Sequence, residues 1–362
     1  MLMVLDDDEI EHPPVECVFT TEEEVGLNGA KALDKSVLKA RTMINMDSED
    51  EGVATVSCAG GLRVQFTKEI KRTTVQGSLL TLKVEGLLGG HSGQDIDKER
   101  QNADLLMARM IQRLLKETKG QLVSFNGGTK DNAIPRECEA SLIYESDEEA
   151  AKAEELACEL AETYAEELTP AEPDFSCEIS CETNRTAEAI PQDAAKEFIC
   201  AMRLAPNGIQ KRNIKMDGFV VVSLNLGVVR TEEDRIVMIF SPRSSVASLQ
   251  EDTKERLNTL AETFGFTVSH SSEYPGWSFK EDSPVREICK ESYKELFGED
   301  LKIEAIHAGL ECGLFSDAIK GLDAIAIGPT IANCHTPDEY LTLDSFERFY
   351  EFLKDILSRL AK

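Results

Sequence analysis

Short runs rich in β-branched and aromatic residues alternate along this chain with amphipathic helical stretches, which restricts it to folds in which helices cover sheets. Residues 15–20, 41–45 and 53–58 read as strands, as do 79–84, 140–144, 219–226, 235–240 and 324–327. Residues 26–33, between the first two, read as a short helix. Met107, Met110, Ile111, Leu114 and Leu115 share one helical face. Ser146 with Glu149, and Ser248 with Glu251, fit capping boxes that open helices. Ser283-Pro284 starts another, which Gly298 stops. Asp344 is expected to cap the last, whose apolar stripe is Phe346, Phe349, Tyr350, Leu353, Leu357 and Leu360. The middle of the chain, 62–272, carries long polar helices and hairpin-like strands, whereas 1–61 and 273–362 are shorter βα units. The expected architecture is an α/β domain interrupted by an inserted α+β domain, since 362 residues exceed what one core serves.

The formal charge is -28, from 67 acidic against 39 basic residues. A surface of that sign repels phosphate backbones and anionic lipid, so neither nucleic acid nor membrane is an expected partner. No stretch approaches the roughly 18 apolar residues of a membrane span. The first residues lack the basic flank of a signal peptide. Ten scattered cysteines without a C-x-x-C read as reduced structural thiols, and the cytoplasm is the expected location.

Four segments could carry chemistry. Thr20-Thr21-Glu22-Glu23-Glu24-Val25-Gly26 follows an expected strand. Its carboxylates either complement a helix dipole or divide between metal binding and base catalysis. Asn45-Met46-Asp47-Ser48-Glu49-Asp50-Glu51-Gly52 places Asp47, Glu49, Glu51 and Gly52 as a calcium loop would. That loop fails where its bidentate glutamate should stand, because the residue there is Cys58. Gly89-Gly90-His91-Ser92-Gly93 lacks the closing glycine of a nucleophile elbow. His335, one of only five histidines, lies in a loop between an apolar strand and the last helix. Each segment alone has a bland reading as a solvated turn or a hydrogen-bonded surface residue.

In order, TTEEEVG, INMDSEDEG, GLLGGHSGQDI, DNAIPRE, HAGLECG and IGPTIANCHTPDE resemble the aminoacyl-histidine dipeptidases, also called cytosol non-specific dipeptidases. The likeness runs over essentially the whole chain. It implies a co-catalytic zinc peptidase domain, here residues 1–61 and 273–362, with a lid or dimerisation domain at 62–272. It further implies that Glu23 is the general base, that Glu24 and His335 bind one zinc, and that Asp47 binds the other. His91 would steady the developing oxyanion, and Asn132 and Arg243 would grip the dipeptide. His307 and Glu311 would line the cleft. Arg243 suits a terminal carboxylate, which a guanidinium holds bidentately. Lids of this kind often dimerise.

The likeness stops short at the start of the chain. The family's His-x-Asp and bridging Asp are absent from these 362 residues, and His12 is followed by Pro13 and Pro14. An amino-terminal segment is therefore expected to be missing, leaving one metal ion or none where the family holds two, with manganese or cobalt as alternatives to zinc. The chain alone is then expected to be inactive and prone to association. Three readings stay open: a shortened dipeptidase, a catalytically dead homologue used for binding or dimerisation, and an acidic cation-binding module.

Overall fold

The structure is a computed structural model that describes all residues except Asp8, Glu24, Val25, 215–217 and His335. It divides into two compact units: residues 1–60, 245–247 and 274–362, and residues 61–244 with 248–273.

The first unit is built on a four-stranded sheet in the order Thr42–Asn45, Asp323–Ala326, Val53–Cys58, Lys302–Ile306. The outer pairs are parallel, while Asp323–Ala326 meets Val53–Cys58 antiparallel through Ala326 and Thr55. Segments that follow Thr42–Asn45 and Asp323–Ala326 therefore leave one end of the sheet, and those that follow Val53–Cys58 and Lys302–Ile306 leave the other.

Helix Pro284–Phe297 begins as its residues dictate. The Ser283 hydroxyl accepts from the Arg286 N–H at 3.3 Å, Pro284 occupies the first turn, and Gly298 ends the helix at φ 76°. Tyr293 meets Phe352 of helix Leu343–Leu360 edge-on, with ring centroids 5.2 Å apart. The last helix is flanked by Thr342 rather than Asp344, which lies in the first turn, where the helix dipole favours a carboxylate. Phe352 and Ile356 join Phe349, Leu353 and Leu357 in its buried face, whereas Phe346 is exposed. Helix Glu311–Ala318 buries Cys312 and Phe315 against Cys58, Trp277 and Ala326.

Residues 15–20 are not a strand. The segment follows two prolines, is largely exposed, and pairs with no sheet edge. β-Propensity expresses fit to a half-buried pleated surface, and among the described residues no strand pairs with this segment. The segment instead borders a cavity of about 420 Å³ beside the edge strand Thr42–Asn45, lined by Val18, Phe19, Met43, Ile44, Leu353 and Leu357 among others. Leu2, Met3 and Phe19 are 62–72% exposed nearby in the sequence. An unpaired strand edge beside apolar surface favours self-association. Light scattering should show concentration-dependent association of the purified chain, reduced in Phe19→Asp.

The second unit carries a nine-stranded sheet. Its path runs Thr267–Tyr274, Gly60–Glu69, Arg235–Ser244, Val220–Thr231, Gln121–Gly127, Cys138–Tyr144, Thr73–Glu85, Ser176–Ala189, with Gly208–Arg212 added to Val220–Thr231. Met107, Met110, Ile111 and Leu114 of helix Ala103–Glu117 are fully buried, in the same core as Phe66, Phe125, Phe198 and Phe240. Each such side chain contributes roughly 1.5–3 kcal/mol by leaving water. Ser146 caps helix Asp147–Leu168 as expected, its hydroxyl accepting from the Glu149 N–H at 3.5 Å. Ser248 lies inside helix Ala247–Thr263 rather than capping it. Gly77 lets two strands close up, since a Cβ there would lie 1.9 Å from the Tyr144 carbonyl oxygen. Among the described residues, no helix is long and apolar enough to cross a membrane.

Candidate active site

In the first unit the acidic loop at 20–23 is fixed mainly through its backbone. The Glu23 carbonyl accepts from the Gly26 and Leu27 N–H groups at 3.0 and 2.9 Å, and the Thr21 carbonyl from Gly29 N–H at 2.9 Å. Gly29 is needed for that approach, because a Cβ there would lie 2.3 Å from the Thr21 oxygen. Glu22 (φ 57°) and Leu27 (φ 61°) both adopt the left-handed conformation that folds the loop back on itself. The Thr20 hydroxyl donates to the Glu311 carboxylate at 2.7 Å, so Glu311 anchors the start of this loop. Glu24, expected as a metal ligand, lies outside the described residues.

Asp47 follows strand Thr42–Asn45, and its N–H donates to the side-chain oxygen of the buried Asn45 at 3.0 Å. It leaves the same end of the sheet as the loop after Asp323–Ala326, which holds His335, a residue also outside those described. Gly328 permits the two loops to touch, since a Cβ there would meet the Ser48 carbonyl oxygen at 1.8 Å. Asp47 and Glu311 both act on the buried Cys312 thiol, raising its pKa together with the larger effect of burial. The rest of the acidic burst is otherwise engaged. Glu51 is held by Arg348 through two contacts of 2.5 Å, and Glu49 lies against Cys334. His307 is buried and follows strand Lys302–Ile306, at the opposite end of the sheet from Asp47. The structure thus relates Glu23, Asp47 and Glu311 to one region of this unit and sets His307 apart.

The second unit gathers His91, Asn132 and Arg243. Gly90 and His91 pair antiparallel with Ile134 and Ala133, and the Ser92 N–H donates to the Asn132 carbonyl at 2.9 Å. The buried Asn225 amide donates to the carbonyls of Asp131 and Ala133, fixing the chain on both sides of Asn132. Arg243 is buried and pairs with Ser223, two residues from Asn225 on the same strand face. Its charge reaches His91, whose pKa is lowered first by burial and then by Arg243, with Asp95 opposing. The backbone N–H groups of Gly93 and Gln94 donate to His91 Nδ1 at 3.3 and 3.1 Å. A nitrogen that accepts two backbone donors carries no proton, so Nε2 bears the hydrogen and is the donor of this neutral imidazole.

Sequence reasoning missed two contributors. One is Thr20, which ties Glu311 to the acidic loop; the other is Asp95, which holds the His91 turn. A hydroxyl next to a run of glutamates and an aspartate four residues after a glycine-flanked histidine were the only sequence signals available.

Among the described residues, no three His, Cys, Asp or Glu side chains converge as a metal cage. Of the three expected ligands only Asp47 is described, so the described residues do not by themselves fit a closed metal site.

The first unit is a mixed α/β unit with an acidic loop beside strand ends, and the second carries a neutral imidazole with an adjacent guanidinium. Residues 1–359 match the model of peptidase family M20/M25/M40, and the chain belongs to that family, a metallohydrolase class. It is 33% identical over 365 residues to the cytosol non-specific dipeptidase of Escherichia coli (strain K12), a match that takes in 99% of this chain and 74% of that protein. The crystal structure of the aminoacylhistidine dipeptidase from Vibrio alginolyticus superposes with a TM-score of 0.94 at 34% identity, covering 99% of this chain and 73% of that one. The mixed α/β fold is that of an M20 peptidase. Matches that take in nearly all of this chain lend no support of their own to an absent amino-terminal segment.

Proposed function

We propose that this chain acts in the metal-dependent hydrolysis of dipeptides, Xaa-His among them, with Glu23 as general base. The observation that carries the proposal is the similarity, along nearly the whole chain, to a protein named as a dipeptidase. In this reading residues 1–61 and 273–362 form the catalytic domain and 62–272 a lid, and the protein works in the cytoplasm.

Glu24, Asp47 and His335 would hold the cation, zinc or with similar ligand chemistry manganese or cobalt, which when bound acidifies water and polarises a carbonyl. Glu23 takes a proton from the attacking water and returns it to the leaving amine. His91 donates its Nε2 hydrogen to the oxygen on which charge develops, which the neutral tautomer with hydrogen on Nε2 makes available. Arg243 holds the substrate carboxylate, and Asn132 hydrogen-bonds the peptide, with Glu311 as a further substrate-side residue. Among the described residues the strand Ser176–Ala189 is the last of its sheet, and its outer edge would offer a second copy of the chain a pairing surface.

Metal content and hydrolysis of carnosine and other Xaa-His dipeptides, measured on one preparation with zinc in excess, test the proposal. Turnover that requires metal supports it. Absence of turnover with tight binding of another ligand class overturns it. Arg243→Lys should raise KM for dipeptides with a free carboxylate about tenfold or more, because an ammonium cannot reproduce a two-point contact. Carboxamide-capped dipeptides should show no such difference.

A further inference from the structure

The turn that carries His91 is closed by a residue with no assigned role. Asp95 accepts the His91 backbone N–H on Oδ2 at 2.8 Å, and its own N–H donates to the His91 carbonyl at 3.0 Å. The two residues thus grip each other across four positions. The other carboxylate oxygen, Oδ1, takes the Lys98 ammonium at 2.6 Å. Arg100 lies beside the same carboxylate, and its guanidinium donates to the Gly89 carbonyl at 2.5 Å. Gly90, at φ 135°, leaves room for this arrangement, since a Cβ there would lie 2.7 Å from Asp95 Oδ2 and 2.6 Å from Arg100 Nη1.

The consequence falls on the imidazole. Only while residues 91–95 stay wound do the Gly93 and Gln94 N–H groups both point at Nδ1. If the turn opened, Nδ1 could carry the hydrogen, and Nε2 would become an acceptor with nothing to give an oxyanion. The geometry points to Asp95 as a positioning residue that locks His91 in the tautomer bearing hydrogen on Nε2. This rests on the role proposed above for His91. Asp95 itself touches no reacting atom; it acts through the backbone of the turn. Lys98 and Arg100 are the charged groups around Asp95, and Arg243 is the one that bears on His91.

The test reads the imidazole directly. Long-range proton–nitrogen correlation spectra of the nitrogen-15-labelled chain, with His91 assigned by comparison with His91→Gln, report which nitrogen is protonated. The wild-type chain should show a neutral His91 with hydrogen on Nε2 at pH 7. Asp95→Ala should give a mixture of tautomers. Its kcat should fall about tenfold with KM little changed, less than the 10²–10³ that loss of an oxyanion donor costs. Asp95→Asn keeps the acceptor for the His91 N–H and should restore both spectrum and kcat. Hydrogen on Nδ1 in the wild type, or an Asp95→Ala spectrum identical to the wild type, overturns the proposal. If Asp95→Ala does not fold, the wild-type and Asp95→Asn spectra still decide, because a shifted tautomer in either contradicts it. A locked tautomer in a chain that cleaves no dipeptide leaves the assignment of Asp95 standing and removes the dipeptidase reading instead.

Discussion

Glu23→Gln should lower dipeptide hydrolysis, measured with zinc in excess, by about 10²–10⁴-fold, the span attributed to a positioned general base. The substitution leaves the main-chain bonds of the Glu23 loop in place. The Glu23 and Thr21 carbonyls are engaged by Gly26, Leu27 and Gly29, and an amide side chain disturbs none of these. Metal content should stay unchanged, since the ligands proposed are Glu24, Asp47 and His335. A fall confined to kcat would place the loss in proton transfer, whereas a parallel fall in metal content would make Glu23 a ligand. A decrease of less than about tenfold would move the base elsewhere, because so small a factor lies below what base catalysis contributes. Asp47→Asn makes the companion measurement, with loss of metal as its expected first effect.

What could be read from the sequence was chemistry that acts over one helical turn. Ser146 with Glu149, and Ser283-Pro284 with Gly298, mark helix ends because caps satisfy backbone groups within three residues of themselves. The glycines around His91 announce a backbone that must bend, and the structure places Gly89 and Gly90 at positive φ. What escaped depended on partners far along the chain. Residues 15–20 have strand composition but, among the described residues, no strand to pair with. The strand Ser176–Ala189 alternates Cys177, Ile179 and Cys181 with Glu178, Ser180 and Glu182, yet its pairing with Thr73–Glu85 spans a hundred residues. Asp95 escaped for the opposite reason. Its bond to the His91 N–H is local, but only the fold of the turn reveals that an aspartate there is bound to backbone rather than solvated.

Asp104 carries the second large prediction. It lies in the first turn of helix Ala103–Glu117, where the helix dipole favours a carboxylate. In the structure it is completely buried, and neither carboxylate oxygen meets an N–H or O–H donor. Burial pushes its pKa up to about 8, against the smaller opposing effects of the Cys138 thiol and the Arg230 charge. The Arg230 guanidinium is itself committed to the carbonyls of Gly127, Gly128 and Val229. The folded-state pKa therefore lies above the unfolded one, near 3.8. Below about pH 4 both states are protonated, and the neutral acid costs nothing extra. As the pH rises from there to about 8, the unfolded chain releases the proton while the folded one keeps it, and stability falls by on the order of 5 kcal/mol. Above pH 8 both states are ionised and this slope ends. Asp104→Asn cannot ionise and should flatten the profile, since Asn keeps the shape of the acid. Denaturant unfolding of wild type and variant at pH 5, 6, 7 and 8 reads this as a difference in favour of the variant that grows with pH. A constant offset across that range would mean that Asp104 ionises freely in the folded protein, which its burial contradicts.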